Sequence, residues 1–460
     1  MKILVIGLEG AAPELLFGDE RLINLRRLME GGCYGKLESV IPPTAIPAWL
    51  CMATGQDPGS LGLYGSRNRV NRSYKSEHYR DMQSTLEIPL WTQLGRQGKR
   101  SVLVGVPAPA DARWENTERV GEYPVEGKDF PASDRDQLKD EIYAASRKHF
   151  ETIRRHLRDP GWDYFQCVES GPDRLQQRFW QFHDPVHTLY QSGNRYEDVI
   201  REYYLYLDDE IGKLLELLDE DTAILVISEH GAQRLDGQFC INEWLLKEGL
   251  FVLNEYPEKI TPFCNLNVNW EKTRAWSEGE YCASIFFNVK GREPNGTMEP
   301  VDFEAVRDEI KSRFETLMDE EGKSPGTRVF KPEEIYKAVK GVAPDLILQV
   351  GEDSWRTDNG VGYHSVCFRA KSGWEDRCSP TNLGCFILAV DNNPLQGEIE
   401  DAHLLDISPT LLELGGYEIP RSMQGKSLMG GKKLEEATDS DSSGDEKETI
   451  RQRLKGLGYI

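Results

Sequence analysis

Four groups of polar residues fall in an order that one reaction site could use. Glu9 follows the apolar run KILVIGL. Thr44 follows two prolines and precedes an apolar helical run, in IPPTAIPAWLCMATG. Asp173 lies in GPDRLQQRFW, with Gln177 one helical turn later on the same face. Glu229 and His230 end the apolar run TAILVIS. A hydroxyl at a helix N-terminus faces oriented amides and a partial positive charge, a setting that suits a nucleophile attacking phosphorus. Carboxylates and imidazoles are ligands for zinc or manganese. A pair of such ions would lower the hydroxyl's pKa, hold the phosphoryl oxygens and stabilise the leaving oxygen. Each group alone has a plain alternative. A Glu after a strand is ordinarily a loop carboxylate, a Pro-Pro-Thr a capped turn, a helical Asp a solvated or capping group, and a buried His a satisfied core residue. Their joint order is what suggests a site.

The elements that must position them follow from the patterning. KILVIGLEG reads as a buried strand running into a tight loop, not as a signal peptide, because Gly7, Glu9 and Gly10 interrupt the apolar run. RSVLVGVPA, DYFQCVES, TAILVISEHG, PDLILQVG and LGCFILAV read as further strands. Helical patterns run from Leu22 to Met29, from Pro47 onward, and through most of 173–218. Strands alternating with helices predict a mostly parallel sheet covered on both faces. Polar residues at the carboxyl ends of its strands, here Glu9, Glu169, Glu229 and His230, lie where such sheets place their sites. Between 260 and 339 the texture changes, with an amphipathic stretch from Val301 to Met318. The expected organisation is a core over 1–259 with a helical insertion at about 173–218, a cap-like insertion over 260–339, and the core again over 340–430. Residues 431–460, with the acidic run EEATDSDSSGDEKE, read as a solvated linker and a short C-terminal helix. Ser440, Ser442 and Ser443 there leave a regulatory role open.

Composition narrows the partners. The formal net charge is −22 over 460 residues, which argues against duplex nucleic acid as a partner because no basic excess is present. No apolar stretch is long enough to span a membrane. The nine cysteines show no paired spacing, so reduced thiols and a cytoplasmic setting are expected.

With these residues in view, the chain resembles the alkaline-phosphatase superfamily, in particular its type I phosphodiesterase, nucleotide pyrophosphatase and phosphomutase-like group. The segments that carry the resemblance are ILVIGLEGAAPELL, IPPTAIPAWLCMATGQDPGSLGLYG, ISEHGAQRLDGQFCINEWLLKEGL, FFNVKGREPNG, APDLIL and DISPTLLELGGYEIP. They run from the first strand to about Leu428. The resemblance implies an α/β fold of alkaline-phosphatase type, a three-layer sandwich with a mostly parallel central sheet and an inserted cap. It also implies a Thr or Ser nucleophile, which Thr44 provides, and divalent metal, zinc or manganese. Several implied ligands differ. The first-strand Asp is Glu9. The helical pair is Asp173 with Gln177 in place of His, and Gln176 beside it. The strand-end Asp-His is Glu229-His230. The last His is missing near SPTNLGCF, where Cys378 or Pro380 stands. His364 would serve only if its loop folds back. The His of the usual GSHG turn is Leu61.

Lengthening two carboxylates and replacing an imidazole by an amide favours magnesium, calcium, a single ion or no metal at all over a zinc pair. Two readings follow. One is a phosphodiesterase or phosphatase for phosphate esters or nucleotides with an altered metal site. The other is a degenerate pseudoenzyme that keeps the fold for a ligand or protein partner. A sulfatase-like single-metal hydrolase is more distant, since Thr44 cannot become formylglycine. Arg174 reads equally as a phosphate clamp and as a surface ion pair. The aromatic residues between Phe179 and Tyr206 read first as packing.

Overall fold

In the first strand, Lys2–Leu8, alternate residues enter two different cores. Ile3 and Val5 join one, and Leu4, Ile6 and Leu8 the other. A strand buried on both faces belongs inside a covered sheet. In the computed structural model it sits in a nine-stranded sheet, between Tyr164–Glu169 on one side and Thr222–Ser228 on the other. Residues 1–79, 88–107, 115–121, 134–279, 281–351, 354–370, 378–390 and 395–430 are described. The expected linker and helix at 431–460 lie outside the described residues.

Beyond Tyr164–Glu169 the sheet continues with Ser101–Val104 and Thr117–Val120. On the other side come Leu383–Ala389, Gly32–Glu38 and the short edge strands Gly397–Glu398 and Ala402–His403. Every pairing is parallel except those of Leu383–Ala389, which runs against both its neighbours. Helices Ala45–Thr54, Leu90–Arg96 and Ile407–Leu414 cover one face. Helices Ile23–Glu30, Arg135–Leu157, Gly171–His183 and Val199–Leu215 cover the other. The result is the expected three-layer sandwich. Gly7 shows how close the layers are: a Cβ there would stand 2.5 Å from the Trp49 ring of helix Ala45–Thr54.

The expected helices near 22–29 and 301–318 form as Ile23–Glu30 and Phe303–Glu315. The aromatic residues of the helical insertion pack. Phe179, Trp180 and Tyr196 are buried, and Phe179 meets Tyr196 edge to face at 5.5 Å. A second, smaller β-region has its own core around Phe239, Trp276, Phe287 and Phe314. One of its sheets is antiparallel, in the order Ala275–Glu278, Cys282–Phe287, Leu346–Gln349, Arg328–Phe330. The strand expected at PDLILQVG therefore belongs to this sheet and not to the large one. The other sheet joins Trp355–Asp358, Gly237–Cys240 and Cys367–Arg369. No helix among the described residues is long and apolar enough to cross a membrane.

Candidate functional site: a carboxylate cluster at the strand ends

Parallel register puts three chemically active positions on one edge. Leu8 lies opposite Glu169, and Gly7 opposite Ile227, so Glu9 and Glu229 leave their strands at the same level. The Glu9 amide donates to the Glu169 carbonyl at 3.0 Å. Gly10 follows with a φ of +64°, and a Cβ there would meet Asp173 Oδ1 and His230 Cε1, each at 3.1 Å. The backbone of Gly10 is thus threaded between Asp173 and His230, and only glycine fits that turn without strain. Gln176, fully buried, fixes it: Nε2 donates to the Gly10 carbonyl at 2.7 Å, while Oε1 accepts from Tyr204 at 2.9 Å. Sequence reasoning noticed Gln176 only as a neighbour; a buried amide inside a helix was the available signal.

Glu229 is fully buried, and only backbone amides, its own and that of Gly10, face its carboxylate among the described residues. Burial pushes its pKa well above the usual carboxylate range; the Glu9 carboxylate adds to the rise, and Asp173 adds less. His230 Nδ1 lies 2.9 Å from the Gly231 carbonyl and must donate to it. Nε2 then carries the lone pair, and it faces Glu229 Oε1 at 3.4 Å. Burial drives the imidazole down to about 4, so it is neutral at ordinary pH. A lone pair opposite a carboxylate is satisfied only by a proton or a cation between them.

Thr44 is the N-cap of helix Ala45–Thr54, with extended backbone angles. Its side chain makes no capping bond, and Oγ1 is buried with no hydrogen-bond partner among the described residues. The preceding strand, Gly32–Glu38, pairs antiparallel with Leu383–Ala389, as does Thr222–Ser228. It therefore points the same way as the central strands and delivers Thr44 to the edge that holds Glu9 and Glu229.

The remaining candidates divide. Asp173 joins the cluster, and Gln177 does so as a donor: its Nε2 bonds Asp173 Oδ2 at 2.9 Å. Glu169 is structural, since Oε1 accepts from Ser146 at 2.9 Å, the Gly171 amide at 2.8 Å and Tyr203 at 3.2 Å. His364 sits in the smaller β-region with a left-handed φ of 55°. Its amide donates to Tyr256 at 3.1 Å, and its ring lies 4.9 Å from that of Tyr256. Among the described residues it contacts Tyr256 and Glu243, and not Glu9, Asp173, Glu229 or His230. The segment lacking the family histidine, Cys378–Thr381, pairs with Gly231–Arg234 directly after His230.

The donor set fits one oxygen-preferring divalent ion in kind. The buried Glu229 carboxylate, the Nε2 of an oriented imidazole and the neighbouring carboxylates of Glu9 and Asp173 all suit it. Among the described residues, Gln177 gives its NH₂ to Asp173, and His364 lies with Tyr256. Among the described residues no group of three or more His, Cys, Asp and Glu side chains forms a ready-made metal cage.

The type I phosphodiesterase / nucleotide pyrophosphatase family model matches residues 3–375. Among solved structures, human ectonucleotide pyrophosphatase / phosphodiesterase 5 is 14% identical with a TM-score of 0.55, covering 91% of this chain and 96% of that one. An inactive variant of the murine protein, in complex with AMP, is 15% identical with a TM-score of 0.56 over the same shares. At such identities the likeness is one of fold. No match was found among curated proteins. With the family model spanning most of its length and the fold agreeing, this chain belongs to the type I phosphodiesterase / nucleotide pyrophosphatase family.

Proposed function

We propose that this chain is a phosphoric ester hydrolase for a nucleotide-like or other small phosphate ester, with Thr44 as nucleophile and a metal site reduced to one divalent cation. The observation that carries this reading is Thr44 Oγ1, buried and unbonded at the head of a buried helix. A buried hydroxyl without a partner costs about 1–3 kcal/mol, a cost that a bound phosphoryl group would remove. The first amides of that helix, those of Ala45 and Ile46, have no intrahelical acceptor and would be available to phosphoryl oxygens. Thr44 Oγ1 bonds to phosphorus as the ester P–O bond breaks, and the threonine proton leaves with the departing alcohol. Water then cleaves the phosphothreonine and restores the hydroxyl. Gly10 and Gln176 fix the turn that carries Glu9 against Asp173 and His230. A divalent cation held by Glu9, Asp173, Glu229 and His230 would neutralise phosphoryl charge and lower the hydroxyl's pKa. The murine relative is recorded with AMP, which supports a nucleotide as the ligand class. The nine cysteines are all free thiols, which supports a reducing, cytoplasmic setting.

A second reading rests on the Gln177–Asp173 hydrogen bond, which fills with a polar contact the place where the family carries a metal-binding imidazole. It makes the chain a pseudoenzyme that binds a ligand or a partner protein. Purified protein assayed on bis-p-nitrophenyl phosphate with magnesium, manganese, calcium or zinc separates the two. Turnover with a single bound ion, abolished by Thr44→Ala, supports the hydrolase. No turnover with any of the ions overturns it in favour of the pseudoenzyme. Elemental analysis showing two tightly bound ions per chain would refute the single-ion site.

A further inference from the structure

A cleft of about 260 Å³ opens at the same edge of the large sheet, beyond the ends of Ser101–Val104, Thr117–Val120 and Tyr164–Glu169. Helix Arg135–Leu157 forms one wall, and the first turn of helix Gly171–His183 another. The carboxyl ends of parallel strands are where open α/β sheets take ligands. The proposed catalytic cluster uses the central strands, and this cleft is built mainly on the strands beyond them.

Its lining is cationic in a chain of net charge −22. Lys148 and Arg174 line it, against the single carboxylate of Glu169. That carboxylate is already engaged by Ser146, the Gly171 amide and Tyr203. Neither Lys148 nor Arg174 has a side-chain ion pair or hydrogen bond among the described residues. His149 adds a third group. It lines the cleft, and its Nε2 is shielded from solvent with no hydrogen-bond partner. Its ring presses so closely on the loop that a Cβ at Gly105 would lie 2.9 Å from Cε1. The Gly171 amide is spent on Glu169, so the helix end itself contributes little, and the side chains must supply the attraction.

Two unpaired cations and an unsatisfied imidazole around one cleft match an oxyanion. Guanidinium, ammonium and imidazole N–H groups all donate, and a tetrahedral phosphate accepts from several directions at once. The cleft is just below the range of about 300–1,000 Å³ usual for small-molecule pockets, so it admits a small phosphorylated molecule. Asp173 and Arg174 are consecutive on the first turn of the helix; one reaches the carboxylate cluster and the other the cleft. We infer that the cleft lined by Lys148, His149 and Arg174 is a binding site for a phosphate-type oxyanion, separate from the site of Thr44. This inference does not depend on catalysis at Thr44.

The test is calorimetric titration of the full chain with inorganic phosphate at constant ionic strength, with a parallel titration by AMP. Thr44→Ala and Glu229→Gln disable the other site and should leave phosphate affinity unchanged. Arg174→Gln should weaken it roughly ten- to hundredfold, the loss expected for one charge-assisted contact. Lys148→Gln, on an exposed side chain, and His149→Gln provide the same reading should Arg174→Gln melt early. AMP weakened in step with phosphate identifies a phosphorylated metabolite as the source of the oxyanion; AMP indifferent to Arg174→Gln identifies free phosphate. Absence of phosphate binding overturns the inference. So does binding that vanishes with Thr44→Ala, or that is unchanged in all three cleft variants.

Discussion

Two places in this chain bury several acidic groups, and they treat them in opposite ways. In the smaller β-region Asp345 is gripped by Arg292, with Nη1 to Oδ1 and Nη2 to Oδ2 both at 2.7 Å, and it also accepts the Phe287 amide at 2.7 Å. Arg292 reaches Glu293 as well, and Arg69, fully buried, lies 3.6 Å from Glu293 and against the Trp276 and Phe286 rings. At the edge of the large sheet Glu9, Asp173 and Glu229 come together with a neutral imidazole. Paired charge holds a fold in place. Gathered like charge is held against its own repulsion, and that points to a ligand. The segments GREPNG and APDLIL, prominent in the family resemblance, owe their place to the first arrangement, since they supply Arg292, Glu293 and Asp345.

The contrast is sharpest under substitution. Arg292→Ala leaves the buried Asp345 carboxylate without its guanidinium, while Glu293 keeps Arg69, and should cost about 3 kcal/mol in denaturant unfolding. Asp345→Asn keeps the shape but loses the charge that Arg292 grips, and should cost about 2 kcal/mol. The equivalent change in the other cluster, Glu229→Gln, should have the opposite sign. It removes a carboxyl whose ionisation burial and the Glu9 carboxylate oppose, so the cation-free protein should gain about 1 kcal/mol. Magnesium or manganese at a hundred times its dissociation constant should stabilise the wild type by about 2.7 kcal/mol, and Glu229→Gln much less. A loss of stability in cation-free Glu229→Gln would make the two clusters alike and end the comparison. Thr44→Ala breaks no hydrogen bond and removes an unbonded buried hydroxyl, so the ligand-free protein should gain about 1 kcal/mol or more. Turnover, if the hydrolase reading holds, should fall roughly a thousandfold or more. A melting curve and a rate on one sample check both halves.

Much of this was legible in the sequence because it is local. An apolar run closed by Glu or Glu-His marks a strand end, and parallel strands bring their ends to one edge whatever lies between. Thr44 was legible for the same reason, from the prolines before it and the apolar helix after it. Three features were not. The capture of Asp345 by Arg292 joins residues from a turn and a strand in a distant segment, and neither has a periodic signature. PDLILQVG looks like any buried strand, and which sheet it joins depends on Cys282–Phe287, its partner. His364 was placed only by analogy, and its loop is instead tied down by Glu243, which accepts from the Gly362 and Tyr363 amides at 2.8 and 2.7 Å.

The one antiparallel member of the large sheet has a consequence for how the chain is made. Leu383–Ala389 pairs with Gly32–Glu38 and Thr222–Ser228, so it joins strands that left the ribosome long before it. Until it emerges, both neighbours expose an unpaired apolar edge, the surface on which nascent chains stick to one another. Synthesis must therefore pass residue 389 before the central sheet can close, and a ribosome stalled short of that point would release a chain prone to aggregate.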